Sequence, residues 1–207
     1  GSCDTELFDT LLNEISTMES RVNISLTYSP EFIALGSIVK NMRYPDLVLL
    51  GEREAWAGDL VLSAIESICL NKPYIQRMSR SSAEITKIAI NTYVTSKISY
   101  ANMIAEIADK TNGANKFEIL EAIGRDSRVG TKYLKPGLGF GGPCFPRDNR
   151  ALATYASSLG VNASMAHATQ EINLRQPDVW ISRIEQAISS VGTGKKILCL
   201  GMSYKPG

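Results

Sequence analysis

One cysteine in this chain stands in a setting that suits a nucleophile. Cys144 follows the glycine-rich run 137–142, and a helix is predicted to start near Pro146. The positive end of a helix dipole favours the thiolate form of a nearby cysteine, and Arg147 adds positive charge. Asp148, four residues on, can polarise a water molecule. From the spacing alone, a nucleophilic thiol and an inert cysteine in a tight turn are equally supported.

Three other polar residues are candidates for the same chemistry. Lys87 and Asn91 are four residues apart and share one face of a predicted helix, where a lysine and an amide can stabilise an oxyanion. An ordinary surface pair is the alternative. Glu31 follows a predicted strand at the position where α/β folds place ligands. A carboxylate at a helix start is at least as well supported. His167, the only histidine, has no predicted partner.

The glycine-rich run does not predict a dinucleotide-binding turn, although Gly137, Gly139 and Gly142 have the G-x-G-x-x-G spacing. That turn needs a strand before it and a helix that opens directly from it. No strand is predicted before Gly137, and Pro143 interrupts the run. The glycines instead indicate a backbone that must approach another group closely.

The composition of the chain disfavours some classes of function. The chain has 207 residues, 44% of them hydrophobic, which is enough for one or two domains with a core. Lys and Arg number 22 and Asp and Glu 21, so bulk charge favours neither nucleic acid nor a membrane surface. No apolar run is long enough to span a bilayer.

The four cysteines predict neither a metal site nor a disulfide framework, because no C-x-x-C pair occurs and only one histidine is present. We therefore expect a reducing, cytoplasmic setting. Cys69 and Cys199 lie in apolar runs and are predicted to be small buried residues. Cys144 is expected to be the most reactive thiol, with Cys3 exposed near the terminus.

Hydrophobic periodicity predicts the elements that position these residues. They are helix 6–19, strand 22–28, strand 46–51, helix 54–70, helix 82–112, helix 116–123, loop 125–146, helices 147–159 and 164–189, and strand 197–201. The first 75 or so residues are α/β in character. The helix of about 30 residues is predicted to be capped at Ser81 and Ser82 and to have an acidic first turn.

The long helix also predicts an assembly. Its second half carries an apolar stripe with small members, namely Ile98, Ala101, Ile104, Ala105 and Ala108. We therefore predict a homodimer through the helix 82–112, because a twofold axis is the commonest way to bury such a stripe. Coverage by helices from residue 147 onward is the alternative.

Four stretches of the chain resemble motifs of one protein family, and they occur in the same order as in that family. Residues 139–148 resemble the G-F-G-G-x-C-F-P-K-D signature of UDP-glucose/GDP-mannose dehydrogenases. Residues 29–32 resemble its N-P-E-F segment, and residues 83–91 its A-E-x-x-K-x-x-x-N helix. Residues 200–206 resemble the L-G-x-x-F-K-P that opens its nucleotide-sugar domain. The resemblance covers nearly the whole chain from about residue 20.

The resemblance implies three parts. Residues 3–80 would be the C-terminal part of an NAD-binding Rossmann domain, which is α/β. Residues 81–190 would be the all-α central domain, with a long helix, that carries dimerisation and catalysis. Residues 195–207 would be the first strand of a truncated sugar-binding domain. The first βαβ unit would be missing, so the isolated chain is expected not to turn over.

The implied reaction is an NAD-dependent, four-electron oxidation of a nucleotide sugar, in which the C6 alcohol becomes a carboxylate through a thioester on Cys144. Lys87 and Asn91 would stabilise oxyanions. Asp148 would assist the water and help to set the charge of the lysine, and Glu31 would act in thioester hydrolysis. No metal is implied.

The resemblance also implies binding residues. Arg128 would reach into the neighbouring subunit's site, and Arg147 would contact the cofactor. The nucleotide sugar would be held by Tyr133, Phe140, Gly141, Phe32 and Lys205.

Two positions depart from the family pattern. Leu35 stands where a second glutamate is frequent, so a GDP-mannose or N-acetylated sugar substrate stays open beside UDP-glucose. Arg147 replaces the usual lysine, which changes the donor geometry. Two rival readings remain. One is the hydroxyacid or 6-phosphogluconate dehydrogenase class, which also spaces lysine and asparagine four apart. The other is a non-catalytic dimerisation module.

Overall fold

The computed structural model describes residues 5–18, 23–32, 34, 36–192, 194, 196–198 and 200–201. Within these residues the chain is mostly helical, with one two-stranded parallel sheet. The helices are α1 (Glu6–Met18), α2 (Ile38–Arg43), α3 (Ala55–Ile68), α4 (Arg80–Asp109), α5 (Lys116–Arg125), α6 (Phe145–Ser158), α7 (Ser164–Leu174) and α8 (Gln176–Val191). The strands are β1 (Leu47–Gly51) and β2 (Tyr74–Met78). The chain divides into two compact units, the first ending at Ile88 and the second beginning at Ala89, so that α4 belongs to both.

The sheet of the first unit has β1 and β2 parallel, with Leu49 opposite Gln76. Parallel strands need a crossover connection, and α3 supplies it. Leu49 and Leu50 are almost fully buried, and Leu49 packs with Tyr28 and with Ala83 of α4. This βαβ arrangement agrees with the α/β character predicted for the first part of the chain.

Gly51 lets the end of β1 approach the start of α4. A Cβ at this position would lie 2.7 Å from the Cβ of Ala83 and 2.9 Å from the Cα of Arg80. Backbone atoms cannot move aside as the end of a flexible side chain can. The contact therefore requires glycine.

One prediction in the first unit is wrong, and two elements of this unit were not predicted. The segment 22–28 is not a strand among its described residues, because β1 meets it at one point only, a pair of backbone hydrogen bonds between Tyr28 and Gly51. Strand β2 was not predicted, because its centre carries polar residues. One of them, Arg77, is satisfied by Glu52 and Asp59. The short helix α2 was not predicted either.

The long helix is confirmed, with different ends. Helix α4 has 30 residues and begins at Arg80 rather than near residue 82. Its N-terminal hydroxyl is that of Ser79, whose Oγ accepts a hydrogen bond from the Ser82 N–H at 3.2 Å, so the predicted caps lie inside the helix. Glu84 lies beyond the first turn, and its carboxylate accepts a bond from the Thr5 N–H at 2.7 Å.

The apolar stripe of α4 is buried within the second unit, which contradicts its predicted role as a dimer interface. Ala101, Ala105 and Ala108 are at most 3% exposed. Ala101 packs against Leu120 of α5 and Leu134, and Ile104 joins the same cluster. The stripe is covered because α5 and the chain after it fold back along α4. The covering elements therefore include α5, and not only helices from residue 147 onward.

The remaining differences lie near the end of the chain. The predicted helix 164–189 is two helices, α7 and α8, which meet at Arg175 before Pro177. The predicted strand 197–201 is not formed among its described residues, where Ile197, Leu198 and Leu200 are exposed. Residues 199 and 202–207 lie outside the described part of the chain, as does Cys3.

We expect Asp9→Asn to destabilise the protein at neutral pH and to lose its effect in acid. Asp9 of α1 accepts hydrogen bonds from both terminal nitrogens of Arg80, one of them at 2.8 Å. These bonds lower the pKa of the Asp9 carboxyl below its ordinary value of 3.8. Because the folded-state pKa is depressed, the stabilisation is present above pH 3.8 and is lost as the pH falls through the folded value.

The measurement is urea unfolding of the unmodified chain and of Asp9→Asn at pH 7 and at about pH 3. Glu14→Gln, a change of the same kind on the same helix, is the control and is expected to have little effect at either pH. An equal loss in both variants, or a loss that does not depend on pH, would contradict the role of Arg80.

Candidate active site

Cys144 directly precedes α6, and its side chain is exposed. The Asp148 N–H donates to the Cys144 carbonyl at 2.8 Å, so the first turn of the helix closes on the cysteine. Pro146 lies in that turn, where its missing N–H costs no helical hydrogen bond. The predicted helix start is confirmed, and the thiol lies at a helix N-terminus.

The carboxylate of Asp148 is the most deeply buried charge of this region, with 2% of the residue exposed. Its Oδ2 accepts a hydrogen bond from the Asn91 side-chain amide at 2.6 Å, and its Oδ1 accepts one from Arg147 Nε at 2.9 Å. A buried charge is tolerated only when it is paired and hydrogen-bonded. The carboxylate therefore ties the first turn of α6 to α4 through Asn91.

Arg147 is half-exposed and forms the ionic partner of Asp148, with a second nitrogen 2.8 Å from Oδ1. The hydrogen bond to Asp148 raises the pKa of Arg147, and the charges of Asp148 and Cys144 act in the same direction. The guanidinium is therefore the ion-pair partner of the buried Asp148 carboxylate. Its predicted contact with a cofactor stays a prediction.

In the first unit, the structure brings Lys87, Glu31 and Phe32 together. The Lys87 ammonium donates a hydrogen bond to the Glu31 carbonyl oxygen and lies 4.4 Å from the centre of the Phe32 ring. A cation at this distance is attracted by the face of the ring. The Glu31 residue is exposed. The predicted lysine therefore contacts the segment 29–32 that carries the predicted glutamate.

Three of the predicted sugar-binding residues differ in how far they are exposed to solvent. Phe140 is buried, and its ring packs edge-on against Phe145, with centroids 6.2 Å apart. Tyr133 is half-exposed and has a φ of 62°, a left-handed backbone that is uncommon outside glycine. Gly141 is partly exposed, and the following Gly142 has a φ of 79°.

Arg128 is largely exposed, and its side chain forms two hydrogen bonds with Asp126, at 2.9 and 2.7 Å. Its predicted reach into a neighbouring subunit stays a prediction. Leu35, Cys199 and Lys205 lie outside the described residues.

The sequence did not reveal the residues that hold the glycine loop, residues 134–143, which has no helix or strand. Asn102 Oδ1 accepts from the Gly137 N–H at 2.9 Å, and Trp180 Nε1 donates to the Gly137 carbonyl at 3.1 Å. The side-chain amide of Asn173 bonds to both backbone groups of Phe140. These side chains come from α4, α8 and α7. No spacing in the chain links them to the loop, so sequence periodicity could not find them.

The other candidate residues are not brought to this site by any contact that the described residues show. Cys69 follows the last residue of α3 with an extended backbone and is partly exposed, and its thiol lies 3.9 Å from the Met42 carbonyl oxygen. The prediction that Cys69 is buried is therefore wrong. His167 is exposed. Among the described residues, no group of three His, Cys, Asp or Glu side chains could hold a metal ion. No described helix is both long and apolar enough to cross a membrane.

A nicotinamide dinucleotide would need a turn that accepts its pyrophosphate. The described turn between β1 and α3, residues 52–54, carries Arg53 between Glu52 and Glu54, and Glu52 is paired with Arg77. These three residues include no glycine, so this is not the glycine turn that holds a pyrophosphate at a helix N-terminus.

Comparisons with known proteins agree with the motifs. Residues 81–175 match the model of the UDP-glucose/GDP-mannose dehydrogenase family, central domain. The chain is 30% identical over 193 residues to a UDP-glucose 6-dehydrogenase of Pseudomonas aeruginosa, a match that covers 93% of this chain and 42% of that protein.

Two solved structures are similar. A UDP-glucose dehydrogenase from Pyrobaculum islandicum has 28% identity and a TM-score of 0.76, over 86% of this chain and 40% of that one. A UDP-D-ManNAc dehydrogenase from Pyrococcus horikoshii has 26% identity and a TM-score of 0.75, over 90% of this chain and 43% of that one. The chain thus spans less than half the length of the proteins it matches. Residues 81–175 therefore belong to the UDP-glucose/GDP-mannose dehydrogenase family, as its central domain.

Proposed function

We propose that the protein oxidises a nucleotide sugar by four electrons, converting the C6 alcohol to a carboxylate through a thioester on Cys144. The observation that carries the proposal is the exposed thiol at the start of α6, beside a carboxylate of the same turn that Asn91 and Arg147 hold. The similar proteins are named for UDP-glucose and for UDP-D-ManNAc. We therefore propose the substrate class and not one sugar.

The covalent steps begin from the C6 aldehyde, which forms when a hydride and a proton leave the alcohol. The Cys144 thiolate adds to the aldehyde carbon, and the carbonyl oxygen becomes an oxyanion. When a second hydride leaves this carbon, the thioester forms. Water then adds to the thioester carbonyl, the C–S bond breaks, and the thiolate, the carboxylate and the two protons of the water are released. The family resemblance makes NAD the proposed acceptor of both hydrides.

The proposed roles of the other residues follow from their chemistry. The Lys87 ammonium would stabilise the oxyanions by its charge. An amide nitrogen carries two N–H groups, so Asn91 can hold Asp148 with one and donate to an oxyanion with the other. Asp148 would orient or deprotonate the hydrolytic water. Glu31, which is exposed beside Lys87, would assist the same hydrolysis.

We expect Cys144→Ser to stop oxidation at an intermediate stage, because a serine hydroxyl is a far weaker nucleophile than a thiolate at neutral pH. NADH formation by the full gene product would be followed across a panel of nucleotide sugars. The expected loss with the best substrate is on the order of a thousandfold or more.

Cys69→Ser is the matched control, since Cys69 lies at the end of α3 and has no proposed role. Full turnover by Cys144→Ser would contradict the thioester and favour the hydroxyacid or 6-phosphogluconate dehydrogenase class. An unmodified gene product that forms no NADH with any sugar of the panel would favour a non-catalytic dimerisation module.

We also propose a homodimer through α4, on a different face from the apolar stripe. Tyr93, Tyr100 and Ile107 are spaced by seven residues and therefore lie on one side of the helix. They are 63%, 42% and 56% exposed. Apolar side chains in a row on one helix are suited to a second copy of the same helix across a twofold axis.

We expect Tyr100→Glu to convert the dimer to a monomer, because a dimer through this face would bury an unpaired charge. Sedimentation velocity at tens of micromolar would measure the change (a concentration at which roughly micromolar dimers persist). Tyr155→Glu on α6 is the control, since Tyr155 is 45% exposed and lies outside the row. A monomeric unmodified chain, or equal dissociation in both variants, would show that this face is not the interface.

A further inference from the structure

The glycine loop depends on side chains for its backbone hydrogen bonds. Residues 134–143 form no helix or strand, so their N–H and C=O groups have no regular partners. Asn102 and Trp180 bond to the two backbone groups of Gly137, at one end of the loop. The end nearest Cys144 is held by Asn173 of α7.

The side-chain amide of Asn173 forms hydrogen bonds with the backbone of Phe140, as the backbone of a neighbouring strand would. Its Oδ1 accepts from the Phe140 N–H at 2.6 Å, and its Nδ2 donates to the Phe140 carbonyl at 3.0 Å. One planar amide therefore satisfies both backbone groups of a single residue, which fixes the distance and the orientation of the loop relative to α7. The contact is tight: a Cβ on Gly139 would lie 2.5 Å from Asn173 Oδ1.

Packing between two aromatic rings links the position of Phe140 to the position of Cys144. The buried Phe140 ring meets the Phe145 ring edge-on at 6.2 Å, and Phe145 is the first residue of α6. Cys144 lies between these two aromatic residues in the chain and is bonded directly to Phe145. Movement of Phe140 would therefore shift the residue at the helix N-terminus.

We propose that Asn173 is a positioning residue for Cys144: its side-chain amide holds the backbone of Phe140, and the Phe140–Phe145 contact holds the thiol at the start of α6. The inference rests on the proposed role of Cys144 as the nucleophile. A thiolate is favoured beside a helix N-terminus. Loss of the amide therefore lowers the reactivity of Cys144 without removing any group that touches a substrate.

The test uses the 207-residue chain itself and needs no substrate. The rate of Cys144 alkylation by iodoacetamide at pH 7 would be measured by peptide mass spectrometry, with Cys69 on α3 as the internal reference. Exchange of the Phe140 amide hydrogen would be measured in the same samples. In Asn173→Ala we expect Phe140 exchange to rise about tenfold or more, and Cys144 alkylation relative to Cys69 to fall about threefold or more.

Two controls separate positioning from a general loss of stability. Gln176→Ala removes a buried amide three residues away, which bonds to Glu106 and not to the loop. It should leave Phe140 exchange and Cys144 alkylation unchanged, even if it lowers the melting temperature as much as Asn173→Ala does. Gly137→Ala should also be silent, because its Cβ would meet nothing within 4 Å, whereas Gly139→Ala should reproduce the loss by displacing Asn173.

The double variant Gly139→Ala, Asn173→Ala should be no slower than either single variant, because both act on one contact. Wild-type alkylation in Asn173→Ala, or the same slowing in Gln176→Ala, would overturn the inference. These results are independent of turnover. Slowed alkylation in this chain, together with no sugar oxidation by the full gene product, would contradict the proposed function and leave the positioning role standing.

Discussion

The buried carboxylate of Asp148 is the constraint on which the rest of the site depends. Only 2% of this residue is exposed, so its charge must find its partners inside the protein. It finds them in Asn91 of α4 and in the adjacent Arg147. Since Asp148 lies in the first turn of α6, these bonds fix where that helix begins, and Cys144 is the residue before it.

Helix α4 also makes polar contacts with α6, α7 and the glycine loop of the second unit. Thr95 accepts a hydrogen bond from Asn149 of α6 at 2.9 Å, and Ser99 donates to the Thr169 carbonyl of α7 at 2.9 Å. Further along, Asn102 holds the glycine loop. Polar groups in these buried positions specify where α6, α7 and the loop dock, because an unpaired partner would be costly. The helix therefore contributes orientation as well as apolar core.

Sequence periodicity was sufficient for the long helix, for the helix start near Pro146 and for the glycine loop as an irregular segment. Each has a strong local signal: an unbroken 3.6-residue period, a proline in the first turn, or a glycine cluster. The apolar stripe of α4 was identified correctly as buried, but its partner was not, because a period shows which face is covered and not what covers it.

The elements that were missed depend on tertiary contacts. Strand β2 is polar at its centre and is defined by pairing with β1 and by the ion pairs of Arg77. Asn173 is 33 residues from the backbone it holds, and an asparagine on a helix has no pattern that names its partner. The site residues could be proposed from the family motif. The contacts that orient them could not.

The central claim, that Asp148 fixes the start of α6 through Asn91, is tested most directly by a double-mutant cycle. Unfolding free energies would be measured by urea denaturation for the unmodified chain, Asn91→Ala, Asp148→Ala and the double variant. A hydrogen bond to a charged group predicts that the two residues are coupled by about 1.5–3 kcal/mol. Single losses that add to within about 0.5 kcal/mol would contradict the account.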